Sequence, residues 1–453
     1  MRIHLALHGF PPLSYGGTQQ YTLQLAKRLQ AMGHRITVLA YAAGETREVV
    51  VSEDAVQGLR VLRLTFDLRR GGNPVLEEYS NARVARCLER LWNEERPDLV
   101  HVTYLGLLST ATVEVARALG IPTLVTLTDM WALCPVGTLL RYDGQLCEGP
   151  ANIGHCVRCL ARMGPRGRAF AGLTRAIPSS VWRALAAVAS QPLLGCLPYL
   201  DWVRALRERP VRVRRTLESA GALLSPGRFL IAMLERNGYP ANAVRALPHG
   251  IEAPERLRRP NAVCADGRLR LGYIGPLAWF KGAHLPIAAY RQLPAGAGCT
   301  LAYYGPLPSD DVPDGYAREI LAAIEATPGA AHRGPFTSEH VATVLAEIDL
   351  LIMPSLCYEN TPLVIYEALA SGTPVVATAE GGMRELIEEL GGGWLIPRGD
   401  AVALAALLLR LRENPETVRR MAATIRPVPR LGQHAETLLD LYAALAEKGG
   451  ARG

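Results

Sequence analysis

DLLIMPSLCYENTPLVIYEALASGTPVVAT, residues 349–378, decides the fold. The apolar run DLLIMP is short enough for a strand buried on both faces. The run from Thr361 past Glu367 is long enough and apolar enough for a helix, with Thr361 expected as its N-cap and Pro362 in its first turn. PVVAT then reads as another buried strand. Strand, helix and strand in this order form a parallel crossover unit.

The same rhythm extends outward in both directions. Downstream, a helix is expected near Met383; upstream lie LRLGYIG (269–275), a helix from Ala283, TLAYYG (300–305), a helix near Tyr316 to Ala326 and a helix from Ser338. A separate alternation opens the chain: IHLAL (3–7), a helix over Thr18–Met32, RITVLAY (35–41), a helix over Pro74–Glu95, DLVHV (98–102), a helix over Leu107–Leu119 and PTLVTL (122–127). After an interruption it resumes with Ala222–Ser225, Arg228–Asn237 and AVRAL. The Pro- and Arg-rich segment 248–267 separates the two alternations. Two Rossmann-like, doubly wound α/β domains are therefore expected at 1–255 and 256–428, followed by a C-terminal helix and tail at 429–453.

In open α/β sheets ligands gather beyond the C-terminal ends of the strands. After IHLAL, Gly16 and Gly17 stand immediately before a helix, where free amides can meet a phosphate. After DLLIMP, Glu359 falls on the loop and Glu367 about two turns inside the helix. Free amides at that helix start suit a diphosphate, and the two carboxylates suit sugar and ribose hydroxyls.

These residues carry a resemblance. The run 354–378 followed by GGMRELI (381–387) resembles the donor-binding core of the retaining glycosyltransferases of family 4, which have the GT-B fold. Residues 11–40 resemble the N-terminal signature of that family, and LPHGIE (247–252), IGPLAWFKG (274–282) and AEIDLL (346–351) follow in the expected order. The resemblance covers nearly the whole chain and is weakest over 161–218. It implies that Glu359 contacts the hydroxyls of a donor sugar and Glu367 the nucleotide ribose. The amides of Asn360, Thr361, Pro362 and Leu363 fall where sugar and phosphates are held, although a proline contributes no N–H. Lys281 would touch the diphosphate, Gly16 and Gly17 would face it from the N-terminal, acceptor-side domain, and Gly334 would lie near the base, with the catalytic cleft between the domains. The donor implied is a nucleotide sugar, UDP-linked, and the acceptor a glycan or a lipid-linked glycan, with retention of anomeric configuration. No catalytic metal is expected. A catalytically impaired relative that only binds a nucleotide sugar, and a nucleotide-sugar epimerase on the same architecture, are the alternatives.

Two departures from the family pattern stand out. Pro276 occupies the place of an arginine expected on the diphosphate. Lys281 is one of only three lysines among 49 basic residues, so its retention marks a role that a guanidinium does not fill. In VTLTDMWALC (125–134), Thr128 replaces a histidine, which leaves Asp129 as the leading polar candidate of the N-terminal domain, with His101 as an alternative. A buried histidine at a strand end is otherwise a core group.

Cys134, Cys147, Cys156 and Cys159 lie in one loop-like region, 129–160, spaced C-x12-C-x8-C-x2-C. They are read either as a structural zinc site or as free thiols. The helical insertion 161–218 follows, and the stretch 158–215 holds twelve arginines against Asp201 and Glu208. It is read as a basic amphipathic element lying on an anionic membrane, or as a lid with solvated arginines. The net charge of +7 does not choose between these, and the basic residues form no nucleic-acid module. Nine cysteines, odd in number, and a start MRIHLALHGFPP without a leader pattern fit a cytoplasmic protein, peripheral on the inner face of the membrane.

Overall fold

Strand β1 (Arg2–Leu7) buries every residue after Arg2, as a strand covered on both faces must. In this computed structural model it lies at the centre of an eight-stranded sheet whose other members are β2 (Arg35–Ala43), β3 (Val50–Val56), β4 (Leu59–Phe66), β5 (Leu99–Val102), β6 (Thr123–Thr126), β7 (Ala222–Ser225) and β8 (Val244–Ala246). The residues described are 1–150, 152–163, 177–178, 181–182, 184, 200–239, 241–252, 264, 266–294, 298–307 and 315–450. The order is β3-β4-β2-β1-β5-β6-β7-β8, parallel except for the antiparallel pair β3–β4. That pair was not expected from the sequence. It turns through Gln57 and Gly58, both at positive φ, as a two-residue hairpin requires.

A second sheet has the order β11-β10-β9-β12-β13-β14, with all pairs parallel. Its strands are β9 (Leu269–Ile274), β10 (Cys299–Tyr304), β11 (Ala330–His332), β12 (Leu350–Met353), β13 (Val375–Thr378) and β14 (Gly393–Ile396). Both sheets are doubly wound GT-B-type α/β sheets. In each, the strand order reverses beside the first strand, at β1/β5 and at β9/β12, and the loops leaving those strands are where a ligand crevice forms.

The compact units are 1–142, 147–250 and 431–453 on one side, and 143–146 with 251–430 on the other. The first thus ends at Gly250 rather than 255. The C-terminal helix Leu431–Gly450, expected as a separate tail, belongs to the first unit. Three buried imidazoles explain this. Tyr21 OH lies 2.8 Å from His434 Nε2, and Tyr442 OH lies 2.6 Å from His101 Nδ1. His249 lies against Tyr21 with ring centroids 4.1 Å apart and planes tilted by 41°. Thr126 Oγ1 takes the other nitrogen of His101 at 2.8 Å, so His101 is a satisfied core group and not a catalytic one.

Burial lowers the pKa of His101 to about 3 and of His434 to about 4. Burial, followed by its neighbours His434 and His101, holds His249 well below the ordinary range. Groups whose folded pKa is depressed contribute stability that is complete above the unfolded value and lost as pH falls toward the folded one. Unfolding free energy is therefore expected to drop by a few kcal/mol, in order of magnitude, between about pH 6.5 and 4. Urea titrations across that range check this, and His434→Gln should flatten the dependence.

Other elements adjust the sequence reading. The helix expected over Pro74–Glu95 divides into Pro74–Tyr79 and Ala82–Glu95, because Ser80 is extended and Asn81 caps the second with its side chain. The helix expected from Leu107 begins at Ala111, since Leu107 and Ser109 take positive φ. Among the described residues no helix is long and apolar enough to cross a membrane. Most of the insertion expected at 161–218 lies outside the described residues. Its end is the helix Leu200–Ser219, which packs on Pro74–Tyr79 through Tyr79 OH, a donor to Ala205 O at 2.8 Å.

Candidate functional site

Two glycines shape the loop after β12. A Cβ on Gly282 would stand 2.1 Å from Pro354 O, and one on Gly382 1.3 Å from Asn360 O. Only glycine lets both chains approach the 354–360 backbone this closely, and Gly382 N–H donates to Glu359 O at 2.8 Å. From the other side Leu356 N–H donates to Phe280 O at 2.8 Å. The loop leaving β12 is thereby fastened to the loop leaving β9 at the switch point of the second sheet.

Side chains converge there. Lys281 Nζ lies 2.6 Å from Glu359 Oε1, and Ser355 Oγ donates to the same oxygen at 2.8 Å. Cys357 Sγ stands 3.8 Å from it. Burial alone would lower the pKa of the Lys281 ammonium, but Glu359 and Cys357 hold it above the ordinary lysine range. Burial and then Glu359 push the Cys357 thiol up. Lys281 and Glu359, 78 positions apart, thus form a charge-assisted pair at the mouth of this sheet.

The helix that follows starts at Leu363, not Thr361. Pro362 is its N-cap, and no side chain caps it. Thr361 Oγ1 is buried without a hydrogen-bond partner, so the expected cap is not made. The uncapped start keeps its first amides available, and the partial positive charge of a helix N-terminus favours an anion there. The helix is buried on most sides through Leu363, Ile365, Tyr366, Ala368 and Leu369, which fixes its axis. Glu367, one turn in, is half-buried, and burial raises its pKa to about 7. Gly334 lies just beyond β11 at positive φ, its carbonyl accepting from Gly305 N–H at 2.9 Å. Gly16 and Gly17, in the first unit, are the N-cap and first residue of the helix Gly17–Ala31, again without a side-chain cap.

The first unit gathers a second polar group beyond β1, β5 and β6. Asp129 Oδ1 accepts from Trp131 N–H at 2.9 Å, and Asp129 shares a side-chain hydrogen bond with Tyr104. Burial raises its pKa to about 7 against the opposing effect of these bonds. Glu78 accepts from the Trp131 indole and stands 3.7 Å from Arg209 Nε. Burial pushes its carboxyl up too. His8 lies against Tyr104 with ring centroids 3.8 Å apart and planes tilted by 43°, and burial lowers its pKa to about 4. Thr128 accepts from Thr18 Oγ1 and donates to Thr103 O, both at 3.0 Å, so it braces the strand ends as a hydrogen-bonding group.

Sequence reasoning missed Glu78, Tyr104, His8 and Arg209. The one available signal was the position of Arg209, three residues after Leu206 and four before Val213, on the apolar stripe of its helix.

None of the four cysteines is in a disulfide. Cys147 turns its thiol to Gly149 O at 3.3 Å, and Cys156 is pushed up by burial and by the nearby Cys134, Cys147 and Cys159. Among the described residues no group of three or more His, Cys, Asp or Glu is placed to hold a metal.

Family models match both units. Residues 16–250, over half of the chain, match the glycosyl transferase 4-like domain, and residues 268–414 match the glycosyl transferases of group 1. The chain belongs to the group 1, 4-like glycosyltransferases. The amylovoran biosynthesis glycosyltransferase AmsK of Erwinia amylovora is 34% identical over 200 residues, which cover 42% of this chain and 46% of AmsK. The chain thus spans about half the length of curated relatives of this kind. Among solved structures, sucrose-phosphate synthase of Thermosynechococcus elongatus superposes with a TM-score of 0.64 at 19% identity, covering 98% of both chains. HepE of Anabaena, solved with UDP and glucose, gives 0.60 at 16%, covering 98% of this chain and 100% of that one. At these identities the likeness establishes the GT-B fold alone, which the glycosyltransferase reads here as two doubly wound sheets.

Proposed function

We propose that this glycosyltransferase moves a sugar from a UDP-linked donor to a glycan or lipid-linked acceptor with retention of anomeric configuration. The observation that carries the reading is the Lys281–Glu359 pair at the β9/β12 switch point, beside an uncapped helix start. HepE, of the same fold, was solved with UDP and glucose, which supports a UDP donor.

Each residue then has a part. Glu359 turns from Lys281 to the donor sugar hydroxyls, freeing the ammonium for the diphosphate. Lys281 and the first amides of the Leu363–Ser371 helix hold the negative charge that develops as the glycosidic bond breaks, an electrostatic contribution made by groups already in place. Glu367 accepts from the ribose hydroxyls, and the Gly334 turn lies by the base. Asp129, set in the first unit by Trp131 and Tyr104, receives the acceptor hydroxyl. In this reading the departing phosphate takes the acceptor proton and the front face is attacked. The protein is placed in the cytoplasm, against the inner face of the membrane.

The experiment is a pH titration of UDP binding. Because burial raises the pKa of Glu367 to about 7, its carboxylate form, the better acceptor for ribose hydroxyls, fills in as pH rises. UDP affinity is expected to rise by up to about tenfold from pH 6 to 8, and Glu367→Gln to remove the dependence. A flat profile in the unmodified protein overturns the assignment.

A further inference from the structure

The helix Leu200–Ser219 packs one stripe, Val203, Leu206, Val213 and Leu217, into the first unit. On another face Arg204, Arg207, Glu208, Val211, Arg212 and Arg215 recur at steps of three and four residues and therefore lie side by side. With the helices Pro74–Tyr79 and Ala111–Ala118 this face encloses a groove of about 640 Å³. None of these residues belongs to the second unit, where the donor is placed.

The groove has a firm wall and a surplus of positive charge. Its lining holds five arginines, the fifth being Arg117, against Glu114 and Glu208. Glu114 is already engaged: Arg212 Nη2 donates to it at 2.7 Å and Thr216 Oγ1 at 3.1 Å. Arg204 is paired with Asp201 at 2.7 Å. Arg117 and Arg215 are exposed, and their side chains have no hydrogen-bond or ion-pair partner among the described residues. Leu76, Val211 and the buried Tyr79 supply an apolar floor.

Unpaired guanidinia facing one concavity suit an anion with several oxygens. Each planar fork can take two oxygens at once, which matches a phosphoryl group with its three terminal oxygens and up to two charges. A single carboxylate satisfies one fork and leaves the remaining charge unmatched. Arg212, held in place by Glu114, gives the site a fixed edge, and the two unpartnered arginines need no existing ion pair broken before they bind.

We propose that this groove binds a phosphoryl group, as a phosphomonoester or a diphosphate, through Arg117 and Arg215. A lipid headgroup and a soluble phosphate ester present the same chemistry to it, and the two arms of the test tell them apart. The site is independent of the donor reading.

The test uses the full chain without added nucleotide, and diphosphate binding in the second unit is the part that R117A/R215A leaves unchanged. Inorganic diphosphate is titrated calorimetrically at low salt, and flotation is run in parallel with phosphatidylcholine vesicles containing or lacking phosphatidic acid. The R117A/R215A double variant, altered only at exposed side chains, is compared in both arms, with its melting temperature checked. The proposal expects binding in at least one arm that weakens about tenfold or more in the variant, since each lost charge-assisted bond is worth about that factor. R117K/R215K, which keeps the charge but loses the forks, should fall between. Diphosphate binding identifies a soluble ligand, and binding only to vesicles with phosphatidic acid identifies a lipid headgroup. Absence of binding in both arms, equal binding by the double variant, or binding of an oligoglucuronate where both phosphate probes fail overturns the proposal.

Discussion

Lys281→Met is expected to lower kcat/KM for donor turnover by about two to three orders of magnitude, the range found when one preorganised charge-stabilising group is removed from an active site. Pro276 stands where an arginine was expected, and its carbonyl accepts from Tyr273 OH at 2.8 Å. Loss of Lys281 also leaves Glu359, only 15% exposed, with Ser355 and Cys357 as partners. Lys281→Arg separates the two effects. It keeps a positive charge beside Glu359 and should melt like the unmodified protein, yet a planar fork in place of a compact ammonium should recover only part of the rate. UDP release and thermal melting of the three proteins measure both. Full activity in Lys281→Met would remove the lysine from the mechanism.

Arg209→Met is the second large effect, and it falls on stability. Arg209 is 2% exposed, donates to Trp131 O at 2.6 Å, stands over the Trp131 ring at 4.4 Å and faces Glu78. Methionine fills much of the volume, so packing changes little. The main cost is a buried carboxyl at Glu78 without its counter-charge, which breaking one side of a buried pair places at about 3 kcal/mol or more. Removal of Arg209 also takes away an influence that lowers Asp129, so the Asp129 carboxyl should titrate still higher. The urea midpoint of the first unit measures the loss. Adding Glu78→Gln to Arg209→Met should restore much of it, because then neither partner is left charged and unpaired. Equal midpoints for Arg209→Met and the unmodified protein would contradict the role.

The parts of this molecule that could be read in the sequence are those whose cause is local. IHLAL and DLLIMP are continuous apolar runs because central parallel strands are covered on both faces. The edge strand VVSEDAV is mostly exposed, so nothing in it repeats the signal of a core strand. The helices Ala401–Glu413 and Pro415–Ala423 went unread although Asp400 caps the first with its side chain and Pro415 opens the second. At the site, Glu359, Glu367 and Lys281 were legible as residue types at strand ends. Their pairing was not, because a contact across 78 positions depends on two glycines admitting close backbone approach. Glu78 looked like any surface acid in PVLEEY, and Arg209 was one arginine among many; burial and partner distance alone set them apart.

The most direct measurement is equilibrium binding of a panel of UDP-, ADP- and GDP-sugars to the unmodified protein and to Glu359→Ala, with free UDP alongside. The account predicts that one UDP-sugar binds and raises the melting temperature, since a ligand taken up only by the folded state stabilises it. It predicts that Glu359→Ala weakens that sugar nucleotide by about tenfold or more while changing free UDP little, as expected if the carboxylate bonds the sugar hydroxyls. Equal binding of the sugar nucleotide by both proteins, or no binding of any donor in the panel, would contradict it.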